Sequence, residues 1–269
     1  MVKISIFFRT FFTFLIIILI LRFLTKLNSQ ENTRIPLVLY KTGPLKYDDL
    51  SERIHVLFKE TLDLNPGFRI EYYDDEKSRN FIKTHFNKEI LNAYDRLVPG
   101  AYKADFFRYC VLYINGGVYS DLTQRFFLSF YDFIDLQRDD LFLVDDIKFK
   151  VHNKEGIQIN FMAARPKHPI FLDAIHRIVE NVRINYYGIS SLDPTGPYLF
   201  RSVYEKGNYT AKITMKQIHM KEYGAVVVFK DSNKIVYQNK IEDHDLHILK
   251  TKENGYPYLW KSRMIYKKI

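Results

Sequence analysis

One cysteine, Cys110, stands in a chain of 269 residues, so no intramolecular disulfide can form. Cys-x-x-Cys and His-Glu-x-x-His are missing, as are Gly-x-Ser-x-Gly and a Gly-rich phosphate loop ending in Gly-Lys-Ser/Thr. Hydrolase, P-loop and zinc chemistry therefore have no positive support. The net charge of +9 contains no long basic block, which argues against nucleic acid as a partner. No internal repeat or low-complexity segment interrupts the chain. The acid pairs Asp74-Asp75, Asp139-Asp140 and Asp145-Asp146 are adjacent rather than alternating. Neighbours on a strand point to opposite faces, so such pairs make poor bidentate sites. Asp145-Asp146, ending an expected strand, is the one to keep as an accessory.

What is present is apolar and aromatic bulk, 47% and 16% of the chain, enough for one domain with a sizeable core. An appendage precedes it. Ile4 to Leu24 forms a 21-residue segment with twelve uncharged residues in a row, Thr10 to Leu21, and arginines near each end. Roughly 20 apolar residues span a bilayer, and terminal arginines can snorkel to its surface. Residues 1–27 are expected to be a membrane signal anchor, 28–34 a polar link and 35–269 the folded domain. Leu24-Thr25-Lys26-Leu27 lacks the small-x-small pattern of signal-peptide cleavage. Basic residues on both sides leave the orientation open under the positive-inside rule. Residues 1–27 hold four basic and no acidic side chains, leaving the remainder at +5. Asn208-Tyr209-Thr210 is an N-glycosylation sequon.

Strands are expected at Pro36–Tyr40, Phe68–Tyr72, Val118–Leu122, Leu141–Val144 and Gln158–Ala163, with helices at Leu50–Leu62, Ser78–His85, Lys88–Tyr94, Tyr102–Ile114 and Pro169–Tyr186. Their alternation predicts an α/β domain with a mainly parallel sheet flanked by helices. Ile170, Phe171, Ala174, Ile175, Ile178, Val179 and Val182 give the Pro169 helix its packing stripe. Ala225–Phe229 and Lys234–Tyr237 read as a hairpin, and Asp193-Pro194-Thr195-Gly196-Pro197 as a turn into a helix. Such a helix start either offers N–H groups to an anion or is simply a cap.

The chemistry concentrates in residues 100–124. Ala104, Phe107, Val111 and Ile114 recur at helical spacing, with Asp105 and Arg108 three apart on another face. Gly116-Gly117 ends the helix, since glycine tolerates the left-handed conformation of a C-cap. Val118-Tyr119-Ser120-Asp121-Leu122 follows as a short strand. It places Asp121 at or near a carboxyl end, where open α/β sheets bind ligands.

Lys103-Ala104-Asp105-Phe106-Phe107-Arg108-Tyr109 and Gly116-Gly117-Val118-Tyr119-Ser120-Asp121 resemble the sugar-binding region, with its Asp-x-Asp motif, of family 32 glycosyltransferases. The resemblance implies a glycosyltransferase A-type (Rossmann-like) fold. It also implies transfer, with retention, of a hexosyl unit from a UDP- or GDP-sugar to a glycan or glycolipid; an inactive sugar-binding or scaffold protein is the alternative. By this resemblance Asp105 and Arg108 bind donor hydroxyls, Asp121 the ribose or a Mn2+ or Mg2+ ion, and Lys103 helps to offset diphosphate charge. One position departs: Thr123 stands where the motif has its second Asp, and a neutral hydroxyl ligates a hard cation far more weakly. In the tail, Asp243, His244, Asp245 and His247 form a compact cluster that either supplies a replacement ligand or is a solvated loop. Tyr119 packs against the nucleotide or is core, and Tyr40 stacks on the base or is an ordinary strand-end tyrosine. Gln158 and Asn160 alternate on one strand face within reach of a sugar. Trp260 is either a lid over the donor or core. In a eukaryotic host the implied location is a single-pass membrane protein facing the Golgi or endoplasmic reticulum lumen.

Overall fold

The computed structural model describes residues 33–149, 151–241 and 255–268. The expected anchor, most of the link, and the tail cluster with His247 lie outside them. Among the described residues no helix is long and apolar enough to cross a membrane.

Among the described residues nine strands form one sheet: β1 (Val38–Thr42), β2 (Arg69–Tyr73), β3 (Gly117–Ser120), β4 (Arg125–Phe126), β5 (Leu141–Phe149), β6 (Lys154–Ala164), β7 (Lys212–Met220), β8 (Gly224–Phe229) and β9 (Ile235–Gln238). Their spatial order is β2-β1-β3-β6-β5-β7-β8-β9-β4. The helices are α1 (Glu52–Leu64), α2 (Asp75–His85), α3 (Lys88–Arg96), α4 (Gly100–Asn115), α5 (Pro169–Arg183), α6 (Pro197–Gly207) and α7 (Tyr256–Lys261).

The sheet is mixed, which corrects the mainly parallel expectation. The pairs β1–β2, β1–β3 and β5–β7 are parallel. The pairs β3–β6, β5–β6, β7–β8, β8–β9 and β4–β9 are antiparallel. Parallel neighbours need a long crossover, and helices supply one between β1 and β2 and again between β2 and β3. Short turns instead join β5 to β6, β7 to β8 and β8 to β9, and a short turn can only reverse a strand.

Side chains alternate across the sheet and divide the core in two. Tyr40, Tyr119 and Met162 pair across β1, β3 and β6 and pack with α4 and α5. Leu39, Val118 and Ala163 face the other way, towards Phe126, Phe130 and Phe133. The α5 stripe is buried as expected except for Val179, which is half-buried against the core, and His168 caps the first turn by accepting from the Ile170 N–H. In α4 the expected polar face is itself buried: Asp105 and Arg108 are enclosed with the apolar residues from Phe106 to Leu112. Cys110 lies within the same core, and burial pushes its thiol well up.

Candidate functional site

Two glycines set the geometry between α4 and β3. Gly116 has φ +64° and Gly117 φ +92°, and a Cβ would fall 2.5 Å from the Pro166 nitrogen at the first and 2.8 Å from the Val38 carbonyl oxygen at the second. Only glycine fits both turns. The chain therefore reverses tightly enough to bring Tyr119 and Asp121 back over the polar residues of α4.

Arg108 is the centre. Its Nη2 lies 3.2 Å from Asp105 Oδ1 and 3.4 Å from Asp121 Oδ1, and Nη1 donates to the Ile159 carbonyl at 2.5 Å. The guanidinium stacks 4.5 Å from the centre of the Tyr119 ring, whose hydroxyl donates to Asp121 Oδ1 at 3.2 Å. Thr195, from the turn before α6, donates to Asp105 Oδ2 at 2.7 Å. Asp121 is the accessible member, its side chain 32% exposed against 6% for Arg108. Burial pushes the Asp105 carboxyl up to about 6, opposed by Arg108 and the Thr195 hydrogen bond. Burial works against the Arg108 charge, and Tyr119, Asp121 and Asp105 more than offset it. The result is a fixed cation with an open carboxylate at the end of β3.

A second cation reaches the same residue from the opposite sheet face. Lys41, 1% exposed, donates to Ser120 Oγ at 2.6 Å and to the Asp121 carbonyl at 3.0 Å, with Phe58 of α1 beneath it at 5.5 Å. Burial lowers its ammonium to about 7, and Asp121 opposes the shift. Sequence reasoning missed Lys41. A lone lysine near a strand end reads as solvated, and its burial depends on Phe58 and Ser120, which no local pattern links to it.

Asp105, Arg108, Tyr119 and Asp121 are thus brought together, and the other expected site residues are distributed around or away from them. Asn160 backs the turn: its carbonyl accepts the Asp121 N–H at 2.9 Å, and its amide donates to Asn239 at 2.9 Å. Gln158 donates to Gln217 and to the buried Asp146. Thr123 follows Asp121, and its carbonyl accepts from Ile241. Lys103 lies over the Tyr94 ring and beside Asp75. Tyr40 is core, 2% exposed and packed beside Tyr73, so its ring is closed to a base. Trp260 donates to the Tyr187 carbonyl at 2.6 Å and packs on the core. On the same helix, α7, burial and then the Asp105 charge push the Tyr256 hydroxyl up. The turn at Asp193–Pro197 acts through side chains: Asp193 accepts from the Ile189 and Ser190 N–H groups, and Thr195 reaches Asp105. Asp145 pairs with Lys230 and Arg201 on the surface.

For a divalent cation the acidic donor set is short. At this turn Asp121 is a single carboxylate with one oxygen already engaged by Arg108 and Tyr119, and Thr123 adds a neutral hydroxyl. Among the described residues no group of three or more His, Cys, Asp or Glu converges on a point. These residues do not fit the usual carboxylate cage of a hard cation.

Residues 51–127 match the family described as glycosyltransferase sugar-binding region containing DXD motif. An uncharacterized glycosyltransferase of Acanthamoeba polyphaga mimivirus is 29% identical over 189 residues, covering 67% of this chain and 70% of that protein. Inositol phosphoceramide mannosyltransferase 3 of Schizosaccharomyces pombe is 27% identical over 181 residues, 66% of this chain and 47% of its own length, so the chain spans about half of that relative. Among solved structures, PaToxG glycosyltransferase aligns over 64% of this chain and 70% of its own at 15% identity, with a TM-score of 0.48. The matched segment holds Asp105, Arg108, Tyr119 and Asp121 together, so the residues gathered at this site lie where the chain is similar to the sugar-binding region of glycosyltransferases.

Proposed function

We propose that the chain transfers a hexosyl unit from a nucleoside-diphosphate sugar to a glycan or glycolipid acceptor with retention, on a glycosyltransferase A-type domain. One observation carries this reading: Arg108 is fixed between Asp105 and Asp121, with Asp121 open to solvent, inside the segment that matches the sugar-binding family. A sugar nucleotide offers hydroxyls and an anionic diphosphate. Asp121 is the carboxylate free to accept from hydroxyls, and Arg108 the cation that does not deprotonate. Asp105, closed off by Thr195 and Arg108, holds the guanidinium in place. Such a site accelerates transfer by orientation and by charge arranged in advance around the departing diphosphate. It does not require the paired catalytic carboxylates of glycosidases. The name of the fission-yeast relative, with inositol phosphoceramide as its acceptor, favours a glycolipid. Residues 1–27 would then hold the domain at the membrane where that acceptor lies.

The test is a screen of the purified full chain against UDP- and GDP-sugars, with and without manganese, reading binding by thermal shift and turnover by release of nucleoside diphosphate. One donor should stabilise the protein and turn over. Asp121→Asn should lower turnover about a hundredfold or more with little change in melting temperature. Full activity in a folded Asp121→Asn protein would overturn the assignment.

A further inference from the structure

A continuous run of side-chain amides links the buried Asp146 of β5 to the turn that carries Asp121. Its polarity is fixed at Asp146, because an ionised carboxylate only accepts. Asp146 Oδ1 takes Nε2 of Gln158 and Nε2 of Gln217, each at 3.3 Å, besides the Ile147 N–H at 2.8 Å. With its nitrogen committed, Gln217 turns its oxygen away, and that oxygen accepts from Gln158 and from Asn239 Nδ2. Asn239 Oδ1 in turn accepts from Gln124 Nε2 at 3.1 Å and Asn160 Nδ2 at 2.9 Å. Along this path from the far end, each amide directs its N–H groups towards Asp146. The run must therefore finish in acceptors. Gln124 Oε1 and Asn160 Oδ1 are those ends, both buried and, among the described residues, without a hydrogen-bond partner.

Both ends belong to the Asp121 turn. The Asn160 carbonyl accepts the Asp121 N–H, and the Gln124 N–H donates to the Asp121 carbonyl at 3.4 Å. The β3–β6 register pairs Ser120 with Phe161, so one further step sets Asn160 opposite Asp121 with their side chains on one face. Buried acceptors left unpaired are costly, and what satisfies them must bring hydrogen. A sugar hydroxyl does so, whereas a diphosphate presents further acceptors.

We propose that Asp146 is a positioning residue whose carboxylate orients the Gln158–Gln217–Asn239 relay so that Asn160 and Gln124 turn carbonyl oxygens towards hydroxyls of the donor's sugar ring. The inference rests on the donor-binding reading and adds to it the group that reads the sugar apart from the nucleotide. An asparagine at 146 can present nitrogen as well as oxygen, so it no longer fixes the direction of the relay.

The experiment measures dissociation constants of the full chain for UDP-glucose and GDP-mannose against UDP and GDP, each with and without manganese. Asp146→Asn should weaken the bound sugar nucleotide roughly ten- to a hundredfold while leaving its sugar-free nucleotide within about twofold. Asn160→Asp alone sets a carboxylate against Asn239 Oδ1 and should also weaken the sugar nucleotide. Added to Asp146→Asn, it lets the freed Asn239 reverse and donate to it, so the double variant should regain most of the lost affinity. Asn160→Leu, which changes the other end of the relay, should lose the same sugar-specific contrast if Asp146→Asn does not fold. Equal losses for UDP-sugar and UDP, a loss that follows manganese rather than the sugar, or additive losses in the double variant would each overturn the proposal. A wild-type chain that binds no sugar nucleotide would remove the donor reading together with this inference. A wild-type chain that binds one, with Asp146→Asn unaffected, would remove the inference alone.

Discussion

Arg108 and Lys41 approach Asp121 from opposite faces of β3, and each is buried, yet their surroundings differ in kind. Arg108 has two carboxylates within 3.4 Å, an aromatic face and a backbone carbonyl, so its charge is compensated where it stands. Lys41 has a hydroxyl, a carbonyl and the Phe58 ring, with the Asp121 charge acting only from a distance. Taking a cation out of water is costly unless an anion and hydrogen bonds replace the water. The Arg108 side is therefore a permanently charged platform, and the Lys41 side titrates near neutral pH. The difference separates two tasks that a positive site can perform: Arg108 holds charge for a ligand, and Lys41 clamps the strand end on which Asp121 is carried.

The largest effect should come from breaking the compensated side. Arg108→Met leaves Asp105 buried and Asp121 facing it with no counter-ion, and removing one partner of such a network destabilises by about 3–5 kcal/mol. Urea denaturation should show this loss at pH 7, with much of it recovered at pH 5, where Asp105 takes up a proton. A loss below about 1 kcal/mol would mean that Arg108 is not the group that keeps Asp105 buried.

A smaller effect with the opposite character is expected at Lys41. Its folded-state value of about 7 lies below the ordinary lysine value of 10.5, so between these limits the unfolded chain binds more protons. Wild-type stability should then rise with pH across that window by up to a few kcal/mol from this group. Lys41→Met removes the buried charge and should flatten that rise, gaining stability relative to wild type at pH 7 and losing the advantage by pH 10. Paired denaturation curves at the two pH values decide it. Parallel pH profiles would show that Lys41 keeps its proton when folded.

The contrast between the cations also shows what could be read in advance. The Asp105–Arg108 spacing, the glycine pair and the short strand after it are local patterns, and helical periodicity with a forced turn is enough to place Asp121 near Arg108. Lys41 is different because Phe58 and Ser120, which bury it, lie on another helix and another strand. Gln158 and Asn160 were visible through strand alternation, but Gln124, Gln217 and Asn239 join them only through the β4–β9, β7–β8 and β3–β6 pairings. Strand β7 itself escaped notice: most of its residues are only partly buried, so Lys212–Met220 lacks the apolar run that marks a core strand. Without β7 the hairpins at that end of the sheet could not be ordered, and the alternation of strands and helices elsewhere read as a mainly parallel sheet, although β6 runs antiparallel to both β3 and β5. Tyr40 illustrates the reverse case, a residue whose strand was legible but whose choice between ligand and core depended on Tyr73 and Gly117.

Thr195 offers the finest adjustment of the comparison, because it touches the compensated side without removing a charge. It is fully buried, and its hydroxyl donates to Asp105 Oδ2. Valine keeps the shape and deletes the donor, which leaves one carboxylate oxygen unpaired at a cost of about 1–3 kcal/mol. That hydrogen bond lowers the Asp105 carboxyl, so Thr195→Val should carry it further above about 6. The folded state then holds the proton more tightly than the unfolded chain, and stability falls as pH rises from the unfolded value of 3.8 through the raised folded one. The penalty should accordingly be small at pH 5 and largest above pH 7, measured as the difference in unfolding free energy between variant and wild type. An equal penalty at both pH values would mean that the hydroxyl contributes packing alone, and that Arg108 by itself sets the charge of Asp105.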